Sequence, residues 1–362
     1  MNATKTYAYT HAPIHFQFEQ TIERFFVEEI PLYSFTGTGN YLILKVKKTD
    51  MSTWKLVHVL SKATGLDERE IGYAGLKDKS ATTIQYFSIP KKYEKEIEKN
   101  LATARVEVLE KFYNKAPIKI GHLKGNRFSI RLHQIGAKGA QQIDSVAKFL
   151  QEKGIPNYFG YQRFGEDNQS YLQGKEIAHS GKRLKGSKEK LLVSSYQSHL
   201  FNSWLSERVH ISQTIAQNHP KDASKILQFP LPLVEVLHQQ KQFFKLFLGD
   251  LVQAYPYGKL TSVQEMEKSA ALFSQKRLSP TGLLCGDKVE RAKSDAYHLE
   301  SAYDDSELNT LRGDRRYAWI WPENVSTDYD AHSKKLTLSF YLPRGSYATT
   351  FLEEIGKFSL KK

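Results

Sequence analysis

The sequence predicts an α+β fold in two domains, the first of which is discontinuous. Alternating apolar and polar residues, the pattern of strands, recur between helical segments in the first third of the chain and return near its C-terminal end. The middle begins with a stretch rich in glycine, asparagine and aromatic residues. A chain of 362 residues is also longer than a typical domain of about 100–200 residues. We therefore expect one domain from residues 1–153 and 319–362, and an inserted α+β domain at 154–318.

The N-terminal elements begin with two strand-like runs, RFFVEEIPLY and YLILKVKK, separated by TGTGN, which predicts a hairpin-type loop. In the second run the apolar Leu42, Leu44 and Val46 recur at every second position, the period of a strand. A helix should follow, with Asp50 or Ser52 as its N-terminal cap. Its apolar residues form one stripe, and a glycine ends it: Leu56, Val57, Leu60, Gly65.

The rest of the sequence contains further segments typical of loops, strands and amphipathic helices. GYAGLKDKS is typical of a loop, whereas TTIQYFSI, ARVEVLEKFY and GNRFSIRLH are typical of strands. AQQIDSVAKFLQEKG predicts an amphipathic helix, and SSYQSHLFNSWLSERV predicts a second one inside the inserted domain. Near the C-terminus LTLSFYL is strand-like, and PRGS leads from it into a short helix, YATTFLEEI.

The charge balance favours a polyanionic partner. Lysine and arginine number 52 against 39 acidic residues, a formal net charge of +13. Nucleic acid is the first candidate for such a partner, although many basic proteins bind none. The sequence shows neither a signal peptide nor an apolar run of roughly 18 residues, so we expect a cytoplasmic protein without a membrane segment.

Metal and nucleotide cofactors are not expected. Cys285 is the only cysteine, which excludes a disulfide within the chain and a thiolate metal site. The 12 histidines show no HExxH spacing, and neither GxxxxGK[ST] nor a strand-placed GxGxxG occurs.

Three segments contain candidate functional residues. In GLKDK, Asp78 lies between Lys77 and Lys79, which favour a charged carboxylate able to act as nucleophile or general base; a solvated turn is the alternative. In GNRF, Asn126 could hydrogen-bond to the edge of a base, and Phe128 could stack on its face. An asparagine in a turn and a phenylalanine in the core are the commoner alternatives. In PNYFGYQRFG, Arg163 among aromatics suits a phosphate-and-base surface or, equally, a rigid corner with a buried arginine.

Taken together, these segments resemble the TruD family of pseudouridine synthases. The similar stretches occur in the family's order and span nearly the whole chain: RFFVEEIPLY, GYAGLKDKSATTIQYFSIP, LKGNRFSIRL, GIPNYFGYQRFG, SSYQSHLFN, LGDLVQAYPYG, SPTGLLCG, LRGDRR and LPRGSYATTFLEEI. Each stretch alone is unspecific, but the ordered set is highly specific. The resemblance implies a pseudouridine synthase-like catalytic domain with a mixed, mainly antiparallel sheet, interrupted by the family's insert domain.

The resemblance also implies an activity. Such enzymes isomerise a uridine of tRNA, usually uridine 13 in the D arm, to pseudouridine without a cofactor or metal, and we expect this protein to do so as a monomer. The family's catalytic aspartate corresponds to Asp78. Phe128 would stack on the target uracil, Asn126 would position the base or the Asp78 loop, and Lys77 is the nearest cation to keep Asp78 ionised. Phe25 matches a phenylalanine of the family, and with Arg163 it is assigned to substrate binding.

One departure from the family pattern concerns the cation near the catalytic aspartate. Family members often have a lysine shortly before the first strand, where this chain has Glu19 or a neighbour, and Arg24 replaces an aspartate. The cationic partner of Asp78 therefore stays open. Two rival functions also stay open: an RNA-binding protein that has lost catalysis, which the intact GLKDK disfavours, and an RNA methyltransferase, for which no glycine-rich methyl-donor loop is found.

Overall fold

The computed structural model describes residues 5–101, 105–165, 167–181, 184 and 186–360. By packing, the chain divides into two compact units. We call His15–Lys148 with Pro322–Ser346 the sheet unit, and Met1–Ile14 with Phe149–Trp321 and Tyr347–Lys362 the helical unit.

The strands and helices alternate along most of the chain. The strands are β1 Phe25–Pro31, β2 Tyr41–Thr49, β3 Gly72–Tyr73, β4 Thr82–Pro90, β5 Val106–Asn114, β6 Leu123–Leu132, β7 Ile155–Pro156, β8 Leu251–Ala254, β9 Leu260–Ser262, β10 Leu278–Leu284, β11 Asp314–Tyr317, β12 Trp319–Ile320, β13 Glu323–Asp330 and β14 Lys335–Pro343. The α-helices are α1 Thr53–Thr64, α2 Glu94–Asn100, α3 Ala137–Lys153, α4 Ser170–His179, α5 Gly186–Gln217, α6 Pro220–Leu227, α7 Leu231–Gln239, α8 Met266–Ser274, α9 Ser294–Ser301 and α10 Ala348–Gly356. Four 3₁₀ turns complete the set: Glu68–Glu70, Lys91–Tyr93, Tyr161–Phe164 and Ser306–Thr310. The expected strand ARVEVLEKFY begins at Ala104, which lies outside the described residues; Arg105 is a turn residue, and β5 covers the expected strand from Val106 onward.

The sheet unit is built on one large sheet in the order β13-β14-β6-β1-β4-β2-β5, with β3 paired to β4. Only the β1–β4 pair among these is parallel, so the predicted mixed, mainly antiparallel sheet is confirmed. Helix α1 packs on the face that carries Leu44, Val46 and Phe87, which we call the inner face. The α+β class predicted from the sequence is confirmed as well.

The local signals around α1 are confirmed by the structure. Ser52, not Asp50, is the N-cap, and its side chain accepts a hydrogen bond from the Lys55 amide. Gly65 ends the helix with φ of 77°, a left-handed conformation that costs glycine little. The helix buries Leu56 and Leu60 against the inner face, as their spacing predicts.

The predicted hairpin between β1 and β2 is wrong. Strand β4 lies between them, parallel to β1 and antiparallel to β2. The connection, residues 32–40, is longer than the 2–5 residues of a typical hairpin loop and can step over one strand at about 4.8 Å spacing. Strand β4 thereby becomes central, which matches its almost continuous burial.

The helical unit contains a four-stranded sheet in the order β11-β10-β8-β9 and a separate β7–β12 pair. Its core joins α5 to these strands through Phe201, Trp204 and Leu205. Helix α10 is buried along its whole length, and its Glu354 accepts a hydrogen bond from the Ala8 amide. The segment with Ala8 and helix α10, near the two ends of the described chain, therefore belong to the helical unit, whereas the predicted domains place both with the sheet. The functional division at 1–153, 154–318 and 319–362 stays a prediction. No helix in the described part of the chain is long and apolar enough to cross a membrane.

A buried ion pair fixes α5 in the core of the helical unit. Both Nη atoms of Arg208 donate to the Asp250 carboxylate at 2.7 Å, and the two residues are 1% and 3% exposed. The guanidinium also lies 4.9 Å from the ring centroids of both Phe244 and Phe247. Such a pair is costly to break, because removal of one partner leaves an uncompensated buried charge.

We expect Asp250→Ala to lower the free energy of unfolding by about 3–5 kcal/mol, since Arg208 would keep its charge without a partner. Equilibrium urea unfolding followed by tryptophan fluorescence measures the change. Lys268→Ala is the control: its ion pair with Glu265 at 3.6 Å joins two exposed side chains, and its loss should cost at most about 1 kcal/mol. Equal effects of the two substitutions would contradict the importance of the buried pair.

Candidate active site

The predicted catalytic aspartate lies on a loop that two hydrogen bonds hold in place. Asp78 is exposed between β3 and β4, on the irregular segment 74–81. The Lys77 amide donates to Thr53 Oγ1 at 2.9 Å, and Gln85 Nε2 donates to the Gly75 carbonyl at 2.6 Å. Thr53 and Gln85 are themselves bonded at 3.0 Å. The loop is thus anchored to the start of α1 and to β4, and Asp78 follows directly after the anchored residue.

Lys77 forms a buried ion pair with Glu29 on β1. Its Nζ lies 2.7 Å from Glu29 Oε2, and the two side chains are 6% and 1% exposed. The contact has ion-pair distance, but Glu29 Oε2 lacks hydrogen-bond geometry to any described donor. The role predicted for Lys77, as the cation beside Asp78, stays a prediction; its close partner in the structure is Glu29.

Lys48 is a second buried lysine near the loop. It lies at the end of β2, is 1% exposed and donates to the Met51 carbonyl. Burial lowers the pKa of Lys48 to about 8; the Lys77 charge acts in the same direction, while Asp78 and Glu29 oppose it. These four side chains therefore form one electrostatically coupled cluster, which we call the charge cluster.

A row of polar side chains crosses the inner face beside the charge cluster. Asn126 on β6 is paired with Glu29 on β1, and Thr83 on β4 is paired with Val27 and Lys48, so all point to the inner face. Two of their buried atoms have no hydrogen-bond partner in the described structure: Asn126 Oδ1 and Thr83 Oγ1. Glu29 Oε2, by contrast, has the Lys77 ammonium as its close partner. An unpaired buried polar group costs about 1–3 kcal/mol and is rare in native proteins. Two such atoms on one sheet face are available to a polar ligand.

The predicted aromatic residues lie on the same face. Phe128 is paired with Val27 and Phe340 across the sheet, and its ring stacks on Phe340 at 5.3 Å between centroids. The ring centroids of Phe25 and Phe128 lie 6.0 Å apart. Phe25 and Phe128 are 2% and 6% exposed, so each offers little more than a ring edge. The structure thus brings Lys77, Asp78, Asn126, Phe128 and Phe25 into one unit.

Arg163, by contrast, lies in the helical unit. It lies in a 3₁₀ turn and is half-buried. Its Nε donates to Ser198 Oγ at 3.0 Å, and its Nη2 donates to Ser194, both on α5.

Sequence reasoning missed Glu29 and Lys48. A signal for both existed: Glu29 continues the apolar face of Phe25 and Val27, and Lys48 continues that of Leu44 and Val46. A charged residue at a position of the buried face is unusual and points to a partner or a function.

The departure noted at Glu19 has a local explanation. Glu19 forms an ion pair with Arg24, in which the glutamate side chain is 59% exposed. Lys48 is the described cation coupled electrostatically to Asp78, whereas the close partner of Lys77 is Glu29. Among the described residues no group of three histidine, cysteine or acidic side chains could hold a metal ion.

The lowered pKa of Lys48 predicts a pH dependence of stability. In the unfolded chain, Lys48 keeps its proton up to the ordinary lysine pKa of 10.5; in the folded protein it loses the proton above about 8. The unfolded state therefore binds more protons between these values, and the free energy of unfolding should rise with pH there. Urea unfolding at pH 8 and 9.5 should show the wild type gaining on the order of 2 kcal/mol relative to Lys48→Met. A constant difference between the two proteins would mean that the Lys48 pKa is not lowered.

The comparisons with known proteins concern the family and the fold. The sequence profile of the family described as tRNA pseudouridine synthase D (TruD) matches residues 2–183 and 169–355. A tRNA pseudouridine synthase D from a Nitratiruptor species is 46% identical over 353 residues, 97% of each chain. The protein of the same name from Wolinella succinogenes is 42% identical over 99% of each chain. A crystal structure of a putative tRNA pseudouridine synthase D from Methanosarcina mazei has the same fold, with a TM-score of 0.69 at 21% identity over 99% of this chain and 97% of that one. Matched along almost its whole length, the chain belongs to the TruD family of tRNA pseudouridine synthases.

Proposed function

We propose that this protein isomerises a uridine of tRNA, uridine 13 in the D arm, to pseudouridine, and that Asp78 is the catalytic carboxylate. Family membership supports the reaction. The observation that supports the site is the exposed Asp78 loop in the same unit as two buried polar atoms without a described hydrogen-bond partner, Asn126 Oδ1 and Thr83 Oγ1. A flipped-out nucleotide, with polar edges and an aromatic face, has the chemistry to satisfy such a surface.

The reaction exchanges one bond of the ribose C1′ for another. The bond from C1′ to uracil N1 breaks, the uracil turns, and C1′ bonds to C5, which loses its proton while N1 gains one. Asp78 either attacks C1′ and holds the sugar covalently, or removes the C2′ proton to give a glycal. Positive charge builds on the sugar as the first bond breaks, and a carboxylate beside it stabilises that charge.

The charge cluster would set the position of Asp78 during this reaction. Glu29 holds Lys77, and so the loop, through the buried ion pair. Lys48 attracts Asp78 across the same cluster. Because these charges are fixed before substrate arrives, little reorganisation is needed when charge develops on the sugar.

The inner face would receive the uracil. A base in a stem must leave the helix to reach Asp78, which costs a few kcal/mol of unstacking. Asn126 Oδ1, an acceptor without a described partner, could accept a hydrogen bond from the imide N3–H of the uracil. Phe128 would meet the uracil with the ring edge that Phe340 and Phe25 leave uncovered, because its ring face already stacks on Phe340. Backbone contacts from the basic surface would offset the unstacking.

We expect tRNA incubated with the wild-type protein to gain a pseudouridine-specific chemical label at one D-arm uridine, detected by mass spectrometry. Asp78→Ala and Asp78→Asn should abolish the label while tRNA binding persists, because the reacting carboxylate is lost and the surface is not. Asp328→Ala, which removes an exposed carboxylate of the same unit on β13, is the matched control and should stay active. Turnover by Asp78→Asn would overturn the assignment of Asp78. No label with any protein would leave an RNA-binding protein without this activity.

Asn126→Ala should lower kcat by about 10–100-fold, which corresponds to one lost hydrogen bond to the reacting base. The Kd for tRNA should change little, since most of the affinity comes from the backbone. Single-turnover rates at saturating enzyme, together with filter binding, separate the two effects. A large rise in Kd with an unchanged single-turnover rate would place Asn126 outside the base contact.

A further inference from the structure

Two arginines of the helical unit meet at one aromatic ring. The guanidinium carbon of Arg316 lies 3.9 Å from the ring centroid of Phe159, and that of Arg163 lies 5.7 Å from it. Arg316 is also 6.0 Å from the ring of Tyr347. Both side chains are half-buried rather than extended into solvent. We call Arg163, Arg316 and Phe159 the arginine site.

Both guanidinium groups are fixed by neutral acceptors. Arg316 Nε and Nη2 donate to the Asn157 carbonyl at 3.2 and 3.1 Å, and Nη2 also donates to Asn157 Oδ1 at 3.0 Å. Asn157 is held in turn by hydrogen bonds to the Ala318 and Tyr317 carbonyls, at 2.8 and 2.9 Å. Arg163 is held by Ser194 and Ser198. The protein thus positions two cations with bonds that leave their charges uncompensated.

The arginine site is short of negative charge. Within the described part of the chain neither Arg163 nor Arg316 forms an ion pair, whereas Arg208, Arg291 and Arg315 of the same unit each pair with a carboxylate. The Nη1 groups of Arg163 and Arg316 donate to no described acceptor and are not among the buried unpaired atoms. Burial, together with the charge of Arg163, lowers the pKa of Arg316 to about 10, so it stays protonated near neutrality. Two adjacent cations with open donors are complementary to an oxyanion.

We propose that Arg163 and Arg316 together bind a backbone phosphate of the RNA substrate. The inference rests on the proposed function for the identity of the RNA, but the site itself is argued from geometry. A phosphate offers several acceptor oxygens to the two planar, pre-positioned donors, and arginine is the residue best suited to such a fork. The net charge of +13 favours a polyanion over an isolated anion as the source of that phosphate.

The test compares charge removal with charge retention. Arg163→Gln and Arg316→Gln each remove one phosphate contact, so the slope of log Kd for tRNA against log salt should become less steep by about 1, with affinity falling about tenfold at low salt. Arg316→Lys keeps the positive charge but loses the planar pair of N–H donors. The affinity for tRNA should therefore fall, while the salt slope stays near that of the wild type. Lys268→Gln, an exposed lysine of α8 paired with Glu265, should change neither. Thermal unfolding of each variant shows whether Arg316→Gln still folds; if it does not, Arg163→Gln and Arg316→Lys decide.

Three results would overturn the proposal. If Arg163→Gln kept the salt slope and the tRNA affinity of the wild type, Arg163 would contact no phosphate. A reduced salt slope for Arg316→Lys would mean that the loss of affinity does not come from the lost planar pair of N–H donors. Inorganic phosphate that raises the unfolding temperature of the wild type but not of Arg163→Gln, with no change in the tRNA slope, would assign the site to a free phosphate ligand. Failure of the proposed function is separate: the wild type would then form no pseudouridine, whatever the slopes.

Discussion

The ion pair between Glu29 and Lys77 is the constraint that fixes the loop with Asp78. A carboxylate that is 1% exposed cannot stay charged without a partner, because its desolvation costs several kcal/mol. Lys77 is the described cation within ion-pair distance of it, so the loop must come close to the inner face at this residue. The next residue, Asp78, is then held at the surface of the same cluster. The hydrogen bonds from Thr53 and Gln85 reinforce a position that the charges already require.

This ion pair depends in turn on the order of the strands. Glu29 lies on β1, and the loop with Lys77 leads into β4, so the two must be neighbours. The parallel β1–β4 pair makes them so, with Phe26 opposite Thr82 and Glu28 opposite Ile84. Had β1 and β2 formed the hairpin that TGTGN suggests, β4 would have been displaced from β1. The long connection between β1 and β2 is therefore a structural condition of the site, and it explains why a glycine-rich loop here need not make a hairpin.

Features that depend on residues close together in the sequence could be predicted from it. Contacts between residues far apart in the sequence could not. The strand period in Leu42, Leu44 and Val46, the cap at Ser52 and the stop at Gly65 all act within a few residues, and the structure has each of them. The loop position of Asp78 was readable for the same reason. Glu29 and Lys48 were visible as charges on an apolar face, but their neighbours are set by strand order. Likewise Arg316 contacts Asn157 across 159 residues of sequence, and no local pattern encodes that contact.

The two units differ in how far the charges of their partly or fully buried cations are neutralised, because carboxylates lie near the cations of one unit and neutral side chains near those of the other. In the sheet unit Lys48 and Lys77 lie among the carboxylates of Glu29 and Asp78, so their charges are largely compensated and the exposed member is negative. A negative group suits a sugar that becomes positive as its glycosidic bond breaks. In the helical unit the hydrogen-bond partners of Arg163 and Arg316 among the described residues belong to serine and asparagine, so no described carboxylate neutralises their charges. The charge of Asp78 would repel a phosphate placed beside it, whereas the two arginines would attract one, so the two units suit different parts of a nucleotide.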